Sequence, residues 1–126
     1  MRYPGLTLRV LGADEPAMGP GRAALIEQIA ETGSISAAAR AMNMSYRRAW
    51  QLVEAINKSF SEAVIVTATG GKRGGGASVT AYGLALVVSF RAMEDKASSA
   101  ISDDLARFAR RLRRPAARGF SRAKRS

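Results

Sequence analysis

The stretch "TGSISAAARAMNMSYRRAWQLVEAIN", residues 32–57, decides the fold of this chain. Ser34 or Ser36 can cap a short alanine-rich helix, and Asn43 can take the left-handed conformation that ends it. Ser45 can then cap a longer helix. Because three or four residues separate the two capped helices, the stretch predicts a helix-turn-helix connection.

The longer helix has an apolar face and a polar face. Its inward positions repeat at three- and four-residue spacing and are Ala49, Trp50, Val53, Ile56 and Phe60. Its outward positions are charged or carry an amide and are Arg47, Arg48, Gln51, Glu54 and Lys58. Taken alone, such a polar face is ordinarily solvated surface, so its meaning depends on the elements around it.

A glycine-rich segment, "TGGKRGGGAS" at residues 69–78, follows the second helix. It has the spacing of neither a P-loop nor a dinucleotide-binding turn. The flanking segments "AVIVTAT" and "ASVT" are rich in β-branched residues, as strands are, and glycine supplies the positive φ angles of a turn. The segment therefore predicts a β-hairpin with Lys72 and Arg73 at its tip.

Further elements are predicted on both sides. Alternation in "TLRVLG" predicts a short strand with Leu6, Leu8 and Val10 on one face, and a helix from Gly21 should stop at Gly33. The stripe of that helix is predicted to hold Ala24, Leu25, Gln28 and Ile29. Thr80 can cap a helix beginning near Tyr82, with an interruption around residues 98–102. A later apolar stripe with 4-3-4 spacing comprises Ile101, Leu105, Phe108 and Leu112.

Helix, turn, helix and basic hairpin follow one another in the order of a winged helix-turn-helix. The predicted fold class is α+β, with a long C-terminal helical region. The helix from Ser45 would enter the major groove of DNA, and the glycine-rich loop at 70–76 would be the wing. The residues expected to reach bases or phosphates are Ser36, Arg40, Ser45, Tyr46, Arg47, Arg48, Gln51, Lys58, Lys72 and Arg73.

These motifs also carry a family resemblance. The GSIS-x-AA helix, the SY-x-x-AW helix and the glycine-rich wing resemble the DNA-binding domain of the ModE family, molybdate-responsive bacterial regulators whose winged helix is similar to that of LysR-type proteins. The resemblance covers roughly residues 6–95 and implies a dimer on operator DNA. Full-length members of that family carry C-terminal molybdate-binding β-barrels. The 31 residues after Asp95 are basic and helical in character, so direct molybdate binding is not expected of them.

Composition argues against an enzyme. The chain has no cysteine and no histidine, which removes thiolate and imidazole metal sites and the catalytic triads built on those groups. The adjacent carboxylates, such as Asp103 and Asp104, suit helix ends or solvated charge. We therefore expect no catalytic residue, no metal and no cofactor. The longest apolar run, "LALVVSF", is too short to span a membrane, which predicts a soluble, cytoplasmic protein.

Charge is distributed unevenly. Of the net charge of +10, residues 1–106 contribute 11 Lys and Arg against 10 Asp and Glu, whereas residues 107–126 hold nine basic residues and no acidic one. We expect a DNA-binding domain at 1–95, a helix at 96–114 that can pair two copies or cover its own domain, and a basic disordered tail at 115–126. Two alternatives remain: a nonspecific architectural nucleic-acid binder driven by the tail, and an oxyanion-binding module in the glycine-rich loop.

Overall fold

The computed structural model describes residues 5–13, 15–68 and 76–113. Within these ranges the chain forms five α-helices and two antiparallel two-stranded sheets. In chain order they are β1 (Val10–Leu11), β2 (Pro16–Met18), α1 (Pro20–Thr32), α2 (Ile35–Ala41), α3 (Tyr46–Ser59), β3 (Ile65–Ala68), β4 (Gly76–Val79), α4 (Ala81–Ala100) and α5 (Ser102–Ala109). No helix of the described ranges combines the length and the hydropathy needed to cross a lipid bilayer.

The helix-turn-helix forms as its capping residues predict. Gly33 ends α1 in the left-handed conformation, with a φ of 71°, and Ser34 caps α2 by accepting from the backbone N–H of Ala37. Asn43 takes a φ of 58° in the turn, and Ser45 caps α3 by accepting from the N–H of Arg48. The expected helix-turn-helix is confirmed, with Ser34 rather than Ser36 as the cap of α2.

The core lies between the helices and the inner face of the second hairpin. Leu25, Ile26 and Ile29 of α1 are fully buried with Val53 and Ile56 of α3. The inward face predicted for α3 is confirmed, because its middle positions are buried and Trp50 and Phe60 pack against the core while partly exposed. No polar or charged residue of the described ranges is buried in this core.

The N-terminal strand differs from the prediction. The N-terminal strand is only Val10–Leu11, and Val10 is exposed while Leu6 and Leu8 are half-buried outside any strand. β1 has only two residues and pairs with β2. A strand this short cannot bury one full face of alternating side chains, so the predicted face of Leu6, Leu8 and Val10 does not form.

The stripe of α1 also differs from the prediction. Its buried positions are Ala23, Leu25, Ile26 and Ile29, whereas Ala24 and Gln28 are half-buried. The reason is that α2, α4 and β4 all contact α1, so its apolar face is wider than a single stripe.

The C-terminal region consists of two helices with a break at Ile101. Thr80 caps α4 by accepting from the N–H of Gly83, as predicted, and Ile101 separates α4 from α5. The α5 helix buries no residue, and Phe108 is 62% exposed. Leu112 lies beyond the end of α5, so the helix carries only part of the predicted 4-3-4 stripe.

Candidate nucleic-acid interface

The outward face of α3 presents a row of polar side chains. Arg47, Gln51 and Lys58 lie along one side of the helix, because separations of four and seven residues return to the same face. All three are exposed and make no side-chain hydrogen bond or ion pair with the described residues. Glu54 lies in the same row and is also exposed. The row therefore offers the donors of Arg47, Gln51 and Lys58, and the acceptor oxygens of Gln51 and Glu54, to a ligand outside the chain.

The first turn of α3 adds an aromatic side chain to this face. Tyr46 is 55% exposed, and its ring meets Trp50 edge-to-face with centroids 6.3 Å apart. Since Trp50 packs against the core, it braces the exposed tyrosine ring. The arrangement fixes the direction of Tyr46 without burying it.

The predicted contacts on α2 and in the turn are partly occupied within the chain. Arg40 is exposed and donates through Nη1 to Oγ of Ser36 at 3.0 Å, which holds both side chains on the outer face of α2. Oγ of Ser45 accepts from the N–H of Arg48 at 3.0 Å in the cap of α3. The Ser45 hydroxyl therefore has its hydrogen left to donate.

The second hairpin is clamped to α3 by one side chain. Asn57 accepts through Oδ1 from the N–H groups of Val64 and Ile65, at 2.8 and 3.1 Å, and its Nδ2 donates to the carbonyl of Ile65 at 2.9 Å. These hydrogen bonds lie in partly buried surroundings, where an unpaired donor or acceptor is costly. The hairpin base therefore keeps a fixed relation to the outward row of α3.

Two further contacts hold the hairpin against the rest of the domain. The N–H of Ala77 in β4 donates to the carbonyl of Gly33 at 3.0 Å, and Thr80 donates through Oγ1 to the carbonyl of Ala63 at 2.7 Å. A Cβ atom on Gly83 would lie 2.7 Å from the carbonyl oxygen of Val64, so α4 approaches the residue before β3 too closely for any side chain there.

The strands of the hairpin pair in register from Ile65 with Val79 to Ala68 with Gly76. This antiparallel ladder confirms that the two predicted strands pair as a hairpin. Lys72 and Arg73, predicted at the tip, lie outside the described residues, as does most of the glycine-rich loop at 70–76.

Sequence reasoning missed two arginines beside α3. Arg9 and Arg22 line a groove together with Arg48, between the start of α1 and the first turns of α3. They are 13 residues apart in the sequence and precede the helix-turn-helix, so no local motif connects them with Arg48. The three come together because β1 pairs with β2, and β2 contacts both α1 and α3.

One arginine far from this face is neutralised within the chain. Arg91 of α4 donates to both carboxylate oxygens of Glu27 on α1, at 2.8 and 3.1 Å, and to Glu94 at 2.9 Å. The hydrogen bonds to Glu27 raise the pKa of Arg91 above its ordinary value, burial lowers it, and Glu94 raises it further. The side chain of Arg91 therefore links α4 to α1.

The short α2 helix, the tight turn, the exposed α3 face and the hairpin anchored behind it define a winged helix-turn-helix domain. The chain belongs to the family of bacterial regulatory helix-turn-helix proteins of the lysR type, whose pattern matches residues 22–84. The match begins in α1 and ends in the first turn of α4. It therefore includes the complete helix-turn-helix and the hairpin.

The chain is also similar to named relatives of the ModE type, which confirms the resemblance expected from the motifs. It is 44% identical over 90 residues to the molybdenum-pterin-binding protein MopB of Rhodobacter capsulatus, which is 71% of this chain and 32% of that protein. It is 38% identical over 88 residues to the DNA-binding transcriptional dual regulator ModE of Escherichia coli (strain K12), covering 68% and 34%. The corresponding identity to the transcriptional regulator ModE of Yersinia pestis is 40% over 88 residues, again 68% and 34%.

The chain thus spans about a third of the length of the curated relatives it matches. Their names describe binding and regulation rather than catalysis. Among the described residues of this chain, no group of three or more acidic side chains could hold a metal ion.

Proposed function

We propose that this chain is a sequence-specific DNA-binding transcriptional regulator. The observation that carries the proposal is the outward row of α3, in which Arg47, Gln51 and Lys58 are exposed and have no partner among the described residues. Arginine and glutamine make bidentate contacts to guanine and adenine edges in the major groove, and lysine contacts phosphate. A regulator of this kind would act on bacterial DNA in the cytoplasm.

In this proposal the remaining contacts surround that row. Tyr46 and Ser45 approach from the first turn of α3, Ser36 and Arg40 from α2, and the wing with Lys72 and Arg73 reaches the adjacent backbone or minor groove. The domain at 1–95 would bind DNA, and the basic tail at 115–126 would add sequence-independent affinity.

We further propose a homodimer formed through the C-terminal helices at 96–114. Support comes from three apolar side chains that are exposed in this region, Ile101 at 37%, Phe108 at 62% and Leu112 at 58%. Exposed apolar patches are a feature of association surfaces. Sedimentation of the chain and of a Phe108→Ser variant tests this, and a monomer at all concentrations would contradict it.

The test of sequence specificity is selection of duplexes from a random pool by the purified chain. A regulator enriches a common sequence, and the enriched duplex should bind at least tenfold more tightly than its scrambled version at one salt concentration, since specific sites exceed nonspecific ones by about 10³ or more. A nonspecific architectural binder would enrich nothing and hold both duplexes equally.

Removal of the residues after Arg114 separates the two modes of binding. Because phosphate neutralisation carries no base information, the truncated chain should bind all DNA more weakly while selecting the same sequence. For each phosphate that the tail no longer neutralises, the magnitude of the negative slope of log K against log salt should decrease by about 0.9. A truncated chain that selects a different sequence would contradict this division of roles.

The names of the relatives support a link to molybdenum-related gene control. We propose that this chain supplies DNA binding and does not itself bind molybdate. A ligand at about 100 times its dissociation constant would add roughly 2.7 kcal/mol to the free energy of unfolding. We therefore expect the melting temperature to be the same with and without molybdate, and a clear rise would place an oxyanion site in this chain.

A further inference from the structure

A groove beside the first turns of α3 gathers positive charge from three separate parts of the chain. It has a volume of about 440 Å³ and lies between the start of α1, the turn before α3, and α3 itself. Arg9 enters it from the N-terminal segment, Arg22 from the first turn of α1, and Arg48 from the first turn of α3. Its apolar wall is formed by Met42, Met44 and Leu52.

The charge in this groove is poorly neutralised by the described residues. The Arg22 side chain is 16% exposed, its nearest paired carboxylate oxygen, on Glu15, is 4.0 Å away, and its Nη1 has no hydrogen-bond partner among those residues. Arg9 and Arg48 are exposed and make no side-chain hydrogen bond or ion pair within the described ranges. A largely buried guanidinium with unfilled donors favours an anion nearby, because burial weakens the hydration of its charge.

The start of α1 adds backbone donors to the same groove. Its cap is Gly19, which offers no side chain, and Pro20 follows as the first helical residue. The N–H groups of Gly21 and Arg22 belong to the first turn, which has no intrahelical acceptors. A Cβ atom on Gly21 would meet nothing within 4 Å, so the space beside this residue is open. Such a helix end attracts negative charge.

We propose that this groove binds a tetrahedral oxyanion of the phosphate type, and that a backbone phosphate of DNA is its source. The proposal rests on the proposed function, because α3 must lie against DNA for the phosphate to arrive there. The position favours that source, since Arg48 lies on α3 immediately after Arg47 but turns toward Leu52 and the groove. In this proposal Arg9, Arg22 and Arg48 contact the phosphate. Arg47 and Gln51 then remain available to contact base edges.

A charge placed at Gly21 tests the groove without removing any packed side chain. Gly21→Glu puts a carboxylate in the open space, and Gly21→Gln is the matched neutral control. A carboxylate in the first turn of a helix is favourable for folding, so the melting temperature of Gly21→Glu should equal or exceed that of the control. Its DNA affinity should fall, and its slope of log K against log salt should be smaller by about 0.9, on selected and scrambled duplexes alike. A lowered affinity together with an unchanged or raised melting temperature separates phosphate binding from a structural role.

Arg9→Ala provides the second measurement, because Arg9 is exposed and contributes no packed apolar side chain to the core. It should lower the salt slope by a similar amount and leave the selected sequence unchanged. If the wild type binds DNA but both variants keep its slope and affinity, the proposal is overturned while the proposed function stands.

Inorganic phosphate distinguishes the two sources of the ligand. With DNA as the source, phosphate should compete only weakly with duplex and should not raise the melting temperature. If the wild type binds no duplex, the proposed function fails. In that case a phosphate-dependent rise in melting temperature that is absent in Gly21→Glu would support the groove as a free-oxyanion site. If the wild type binds neither DNA nor phosphate, the groove is not an anion site.

Discussion

The arginines on two sides of this domain differ in what surrounds them. On the side of α1 and α4, Arg91 donates to Glu27 and Glu94, so its charge is neutralised and its geometry is fixed. On the side of α3, Arg47 and Arg48 have no carboxylate partner among the described residues. Each of these arginines adds one positive charge to the net charge of the chain, whatever surrounds it. Only the unpartnered side offers guanidinium groups to an external ligand.

This difference shows why the local distribution of charge says more than its sum. Residues 1–106 are nearly neutral overall, yet the carboxylates are not shared evenly between the two sides. Glu27 and Glu94 face one arginine between α1 and α4, while the α3 row has Glu54 as its single acidic member. An acidic side chain in a row of donors suits the exocyclic amine of cytosine and so favours base contact over general attraction to phosphate.

The largest effect on specific binding is expected from Arg47→Ala. Loss of a bidentate contact to guanine should cost about 1–3 kcal/mol on the selected duplex, because no other donor of the row occupies the same position. Affinity for a scrambled duplex should change far less. Fluorescence anisotropy titrations at fixed salt measure both, with Lys58→Ala as a control in which the loss should be similar on the two duplexes.

A smaller and sequence-independent effect is expected from replacing both Lys72 and Arg73 by alanine. Side chains on a glycine-rich tip suit phosphates or a narrow minor groove, so specific and nonspecific binding should weaken by similar factors. The magnitude of the negative slope of log K against log salt should decrease by about 0.9 for each phosphate that is no longer neutralised. Loss of sequence preference in this variant, with affinity for scrambled DNA retained, would mean that the wing and not α3 carries the base contacts.

The smallest effect is expected from Arg91→Ala, the partnered counterpart of Arg47→Ala. The ion pairs of Arg91 are partly exposed, so their loss should lower the free energy of unfolding by about 1 kcal/mol or less. DNA binding should be unchanged, since the side chain lies between α1 and α4. Urea unfolding and the same titrations check the two parts, and weaker DNA binding by this stable variant would show that the interface extends beyond the α3 side.

The caps and turns of this fold could be predicted from the sequence because each depends on one residue and its neighbours. Ser34, Asn43, Ser45 and Thr80 act where local rules place them. The extent of the N-terminal strand could not be predicted, since a strand needs a partner and β2 offers only three residues. The wide buried face of α1 likewise depends on which elements pack around it.

The candidate site divides in the same way. The outward row of α3 follows from helical periodicity and could be predicted residue by residue. Two other features arise from tertiary packing: the hydrogen bonds of Asn57 to the start of the hairpin, and the groove that Arg9 and Arg22 share with Arg48. The spacing of these residues in the sequence does not predict either feature. The contacts to DNA assigned to each side chain stay predictions.

The most direct test of the claim that α3 reads base sequence is a position-by-position measurement of base preference. Wild type and Arg47→Ala would be titrated against the selected duplex and against every single-base-pair variant of it at one salt concentration. We expect Arg47→Ala to lose its preference at one base pair, and at its symmetry mate if the site is palindromic, while preference elsewhere is retained. Preference that is unchanged at every position, or reduced equally at all of them, would contradict it.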